Sequence, residues 1–141
     1  MYKNILIPID GSENSRYALA QAVILGNEGG PEVRATVFHV NHATPINEYS
    51  VQMGPDVLGQ EEGEAILKDA DTVLAQARFP YEKQAIFGDP AREICDKARA
   101  GHHDLIVMGN RGRSLVAELL LGSVSHKVLQ NAHCAVLIVR R

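Results

Sequence analysis

A basic tract is missing from this chain. Its 14 Lys and Arg residues are scattered over 141 positions and are outnumbered by 17 Asp and Glu, for a formal net charge of -3. Neutralising a phosphate backbone takes clustered cations, so nucleic acid is excluded as the main partner. Long apolar runs are missing too. The longest are of strand length, far short of the roughly 20 residues that cross a bilayer, so no membrane partner is expected. Met1-Tyr2-Lys3-Asn4 passes straight into a strand pattern and leaves no room for a signal peptide, which makes the cytoplasm the expected location. The only cysteines, Cys95 and Cys134, stand on different expected elements and outside any Cys-x-x-Cys pair, and read as structural thiols. His102-His103 and His133-Cys134 set metal-ligand types side by side, but neighbours on a strand or helix point apart and no third ligand stands at zinc-like spacing. No metal centre is expected from them.

What the chain does have is alternation of strand and helix patterns. Asn4 to Asp10 opens with a nearly unbroken apolar run, the mark of a strand covered on both faces. After the Gly11-Ser12 turn, Tyr17, Leu19, Ala20, Val23 and Ile24 lay out a helical stripe that ends at Gly26. Val33 to Val40 forms a second strand, in which Ala35, Val37 and His39 alternate with Thr36, Phe38 and Val40. An aperiodic loop from Asn41 to Gly59 follows, read as a partial lid or a disordered bulge. A more polar helix then spans Gln60 to Ala77, with acidic residues Glu61, Glu62 and Glu64 at its start and Asp69 interrupting its stripe. Tyr81 to Phe87 is a third strand with an edge-like pattern, and Gly88-Asp89-Pro90 supplies a turn, an N-cap and a first-position proline for a helix closed by Gly101. Asp104 to Met108, an apolar segment Leu115 to Leu121, a last helix through Val124, Val128 and Leu129, and a fifth strand Ala135 to Val139 complete the chain. Such alternation predicts an α/β fold: one domain over 1–141, a single doubly wound open sheet of five parallel strands in the order 3-2-1-4-5, with helices on both faces.

In sheets of this kind ligands bind beyond the carboxyl ends of the strands, where the winding reverses. That places Pro8, Ile9 and Asp10 beside the loop leaving Met108 and Gly109, with Val40 on the same edge. The loop carries Gly109, Gly112 and Gly122, the last followed by Ser123 at a helix start. Glycines let the backbone approach a ligand, and a helix start offers unpaired amides and partial positive charge, so the stretch suits phosphate. The expected ligand is a mononucleotide with its phosphates on the amides around Gly112, Gly122, Ser123 and Val124. Hydroxyls of Ser123 and Ser125 and the guanidinium of Arg111 or Arg113 would assist, and the base would lie near Val40. Asp10 is read either as accepting from a ribose hydroxyl, or as holding Mg²⁺ through water, or as capping the following helix. The chain has no G-x-x-x-x-G-K-[ST], and Gly109-Asn110-Arg111-Gly112 departs from G-x-G-x-x-G. No catalytic base is placed, since His126 falls within the last helix, so binding is better supported than catalysis.

The spacing Gly109-x2-Gly112-x9-Gly122-Ser123 resembles the G-2x-G-9x-G-S/T signature of the universal stress protein family. Ile5 to Ser12, Phe38-His39-Val40, Gly88-Asp89-Pro90 and His133 to Val139 are similar to other segments of that family, so the resemblance covers essentially the whole chain. It implies a fold of the adenine-nucleotide-binding kind and the subgroup that binds ATP, with or without Mg²⁺ or Mn²⁺. Asp10 would sit at the ribose, the Val40 backbone at the adenine, and Gly109, Arg111, Gly112, Gly122, Ser123, Val124 and Ser125 around the phosphates. A homodimer paired through the last strand, Ala135 to Val139, is also implied, and an apolar edge strand supports it independently. Ala135 departs from the proline that many members carry there. Three functions follow: a regulatory ATP-binding protein of stress adaptation, a slow ATPase, or a dimeric interaction module that works without nucleotide.

Overall fold

The structure is a computed structural model that describes residues 1–42, 55–110 and 122–140, with the side chains of 55–58 left aside. Five parallel strands, β1 (Asn4–Pro8), β2 (Arg34–Asn41), β3 (Tyr81–Phe87), β4 (Leu105–Gly109) and β5 (Ala135–Val139), form one sheet in the order β3-β2-β1-β4-β5. Helices α1 (Glu13–Glu28), α2 (Pro55–Leu74), α3 (Pro90–Ala100) and α4 (Ser123–Asn131) connect them. The expected topology is met in full.

Strand side chains alternate between faces, and the core divides accordingly. Ile5, Ile7, Val37, Leu105 and Val107 pack with Ala18, Leu19, Ala22 and Val23 of α1 and Ala70 and Leu74 of α2. On the other face Leu6, Phe38, Val40, Ile106 and Met108 pack with Ala91, Ile94 and Ala98 of α3 and Val128 of α4. Helices thus cover both faces, two on each. β3 and β5 are the edges, and both show the partly exposed pattern that edge position brings.

Several boundaries differ from the sequence expectations. β1 ends at Pro8 rather than Asp10, and β2 extends one residue beyond Val40 to Asn41. Gly26 does not end α1, which runs on to Glu28; an added Cβ at Gly26 would strike the Phe79 ring, so this glycine makes room for a neighbour. The buried face of α1 is Ser15, Ala18, Leu19, Ala22, Val23 and Gly26, which leaves Tyr17 and Ile24 outside. α2 begins at Pro55 and ends at Leu74, where Gln60 to Ala77 was expected. Its Gly59, expected to end the loop, lies inside the helix and is small because a Cβ there would lie 2.5 Å from the Phe87 ring. Gly101 closes α3 as expected, as its C-cap with φ -86, and the left-handed residue, with φ 54, is the His102 that follows. Gly101 is small because a Cβ would come within 2.5 Å of the His103 ring. Asp69, the polar interruption in the α2 stripe, pairs with Arg16 of α1. The apolar segment Leu115 to Leu121, and residues 43–54 of the expected loop, lie outside the described residues.

Candidate functional site at the carboxyl edge

The sheet opens where its winding reverses. β1 and β4 are paired only at Ile5–Leu105 and Leu6–Ile106, so beyond Leu6 no strand pairing closes the gap between them. At the opposite end they are clamped: the Asp104 carboxylate accepts from the amides of Lys3 (2.9 Å) and Asn4 (3.0 Å), and the Asn4 side chain donates to the Gly101 carbonyl at 2.9 Å. A crevice closed at one end and open at the carboxyl end follows from these contacts.

Three backbone features line it. The first is the turn after β1. Asp10 Oδ1 accepts from the Ser12 amide at 2.9 Å, while Ser12 Oγ, accepting from the Ser15 amide at 3.1 Å, is the actual N-cap of α1. Gly11 has φ 81, a left-handed conformation that costs glycine little. Asp10 therefore builds the turn and leaves capping to Ser12, and its side chain faces solvent at the crevice.

The second is the end of β4. A Cβ at Gly109 would lie 2.6 Å from the Asn14 carbonyl carbon and oxygen and 2.9 Å from the Ser15 nitrogen. Only glycine lets the start of α1 settle onto this strand end. Asn14 Nδ2 then donates to the Asn110 carbonyl, and the Asn110 amide donates to the Val139 carbonyl at 3.1 Å.

The third is the start of α4. Gly122 is its N-cap, with φ -67 and ψ 162 and no side-chain cap, and the first intrahelical bond runs from the His126 amide to the Gly122 carbonyl at 2.9 Å. Amides at positions 123, 124 and 125 therefore precede the helical ladder, where the dipole adds partial positive charge. Asn110 Oδ1 accepts from the Gly122 amide at 2.7 Å and ties this helix start to β4. The Ser125 hydroxyl, fully buried, donates to the Gly122 carbonyl at 3.1 Å.

Pro8, Ile9, Asp10, Met108, Gly109, Gly122, Ser123, Val124 and Ser125 all belong to these three features or the strand ends that carry them. Val40 reaches the same edge from β2. The Ile9 amide donates to the Phe38 carbonyl at 2.8 Å, and Pro8–Phe38 is the last β1–β2 pair. Because a parallel ladder alternates its direction residue by residue, the Val40 peptide faces the side where β1 has already ended. Arg111, Gly112 and Arg113 lie outside the described residues. Sequence reasoning missed Asn14 and Asn110, the two amides that lock α1, β4 and α4 together. Their signal was available in the position of Asn110 directly after Gly109, but an Asn beside Gly reads first as turn chemistry.

Burial pushes the thiols of Cys95, on α3, and Cys134, just before β5, above their ordinary range, and both are partly buried against the core on that face of the sheet. Among the described residues no helix is long and apolar enough to cross a membrane.

The family model for the universal stress protein family matches residues 1–140. The universal stress protein YxiE of Bacillus subtilis is 37% identical over 99% of this chain and 100% of its own length. Among solved structures, the protein MJ0577 superposes with a TM-score of 0.82 at 27% identity, over 100% of this chain and 97% of that one. A universal stress protein solved in complex with cAMP gives 0.75 at 26% identity, over 99% and 98%. With the sheet order, the crevice and these likenesses in agreement, the chain belongs to the universal stress protein family.

Proposed function

We propose that this protein binds ATP, alone or with Mg²⁺ or Mn²⁺ on its phosphates, in the crevice between the ends of β1 and β4, and that the nucleotide biases loop or dimer states in a regulatory role. The observation that carries the reading is the start of α4, three amides at Ser123, Val124 and Ser125 ahead of the helical ladder, fastened by Asn110 at the switch point of the sheet. These amides suit a phosphate, with Gly109, Arg111 and Gly112 completing the loop around it. Because the Gly122 amide and the Ser125 hydroxyl are already engaged, the following backbone amides and the Ser123 hydroxyl carry the phosphate in this reading. Asp10 would accept from the ribose, and the Val40 peptide would meet the adenine edge near Pro8, Ile9 and Met108. The relative solved with cAMP supports the adenine-nucleotide class. Homodimerisation through the exposed edge of β5, Ala135 to Val139, belongs to the same reading.

Acid extraction of purified protein, with mass identification of what is released, tests it. ATP near one per chain is expected, and added ATP at 100 times its Kd should stabilise the fold by about 2.7 kcal/mol. A Gly122→Val variant should bind ATP at least about tenfold more weakly by crowding the phosphate. Its unfolding midpoint should stay close to the parent's, because φ -67 and ψ 162 suit a β-branched residue. Protein that carries no nucleotide and gives no shift with ATP would overturn the reading in favour of an interaction module.

A further inference from the structure

His39 is a buried imidazole that the site as described does not use. It is 6% exposed and stands on β2 one residue before Val40. Its Nδ1 lies 2.7 Å from the Ile9 carbonyl and its Nε2 lies 2.9 Å from Asn41 Oδ1. The Ile9 carbonyl can only accept, so Nδ1 carries the proton of that bond; the bare Nε2 of the neutral ring then accepts from the Asn41 side-chain amide, turned so that its NH2 rather than its oxygen meets the ring. This carbonyl belongs to the peptide that joins Ile9 to Asp10, and the other end of that peptide, the Asp10 amide, donates to Ser15 Oγ at 3.3 Å. The peptide that aims Asp10 is thus pinned on both sides, by His39 from β2 and by Ser15 from α1.

The far side of the imidazole is equally fixed. Asn41 is itself held: its carbonyl accepts from the Gly88 amide at 2.9 Å, and its side chain lies against α2, where a Cβ at Gly63 would come within 3.0 Å of its amide. A rigid line therefore runs from α2 through Asn41 and His39 to the Ile9–Asp10 peptide. We infer that His39 is a positioning residue for the nucleotide site, holding Asp10 in the orientation that meets the ribose and transmitting to it the seat of α2 through Asn41. This rests on the ATP-binding reading above.

Two conservative substitutions separate the bonds, because an Asn amide nitrogen occupies the place of Nδ1 and a Gln amide nitrogen that of Nε2. Affinities for ATP and 2′,3′-dideoxy-ATP, which lacks the ribose hydroxyls, are measured for the full chain and both variants. Wild type should prefer ATP. His39→Gln, which loses the bond to Ile9, should weaken ATP about tenfold while leaving the dideoxy analogue within about twofold. His39→Asn, which keeps that bond, should retain ATP affinity within about twofold. Equal losses on both ligands, or none on either, would overturn the inference while the binding reading stands. Wild-type protein that binds both ligands equally would remove Asp10 from the ribose and end it as well. Failure of wild type to bind either ligand would end the functional reading, and the inference with it. Nitrogen-15 spectra of the wild-type imidazole give a check independent of any variant: a protonated Nδ1 is expected, and a bare Nδ1 would overturn the assignment.

Discussion

Single residues on this sheet are chosen by what stands against them more than by their own conformational preferences. Gly109 shows this most directly, since the atoms that exclude a side chain are backbone atoms of α1 that cannot rotate away. Gly109→Ala should cost about 1–3 kcal/mol in urea unfolding, the range for forced overpacking. His103 is the second case. It is 4% exposed, its Nε2 lies 3.3 Å from Thr36 Oγ1, and its Nδ1 has no partner among the described residues. Burial holds its pKa below the ordinary 6.5, with help from the Lys97 and Arg34 charges and against the weaker pull of the Lys97 and Ala98 carbonyls. The unfolded chain therefore binds the proton more readily. This contribution to stability is complete above pH 6.5 and is lost as pH falls through the lower folded value. His103→Gln, which keeps reach to Thr36, should flatten that part of the stability profile; an unchanged acid limb would show that other groups set it.

Elements here are started and stopped by side chains but seated by their neighbours. Ser12 caps α1 and Asp89 caps α3, both accepting from an amide three residues on, at 3.1 Å in each case. Ser12→Ala should cost about 1 kcal/mol, read as a lower unfolding midpoint with an unchanged denaturant slope. α4 differs, because its cap Gly122 offers no side chain and its anchor is Asn110 from another element. A helix whose own N-cap residue supplies no side chain is less favourable for stability alone, and in the phosphate reading proposed above the anion meets the amides that follow. α2 is tied to α1 by Arg16 and Asp69, but both side chains are more than half exposed, so packing through Ile66, Ala70 and Leu74 does most of the holding.

At the scale of the whole molecule, the doubly wound sheet leaves two edges. β3 carries Glu82 and Lys83, charges that discourage pairing with another chain. β5 carries none: Ala135, Leu137 and the flanking Val136 and Ile138 are apolar, and Leu137 is 43% exposed. If β5 pairs two copies as proposed above, the parent protein should sediment as a dimer at micromolar concentration and Leu137→Lys as a monomer, without loss of helical signal; a monomeric parent would overturn the dimer reading. Dimer retained at the same concentration would move the interface away from this strand.

The fold was legible because its signals are local and repeated. Apolar runs such as Ile5 to Ile9, glycine and proline punctuation, and strictly alternating elements leave few topologies open, and β5 was placed at Ala135–Val139 as observed. The strand order likewise placed Asp10 and Val40 at the edge where the glycine loop from Gly109 to Gly122 leaves the sheet. What the sequence could not say is why a given glycine is small or which polar side chain meets which backbone group. Gly26 read as a helix end yet lies inside α1, Gly59 read as the end of a loop yet lies inside α2, and Asn110 and His39 read as ordinary positions. Those outcomes depend on atoms distant in the chain, as in the Gly26–Phe79 contact and the Asn14–Asn110 and His39–Ile9 bonds. Local preference is a property of a few neighbouring residues and is written in their order, whereas contact across the fold exists only once the sheet has brought distant segments together.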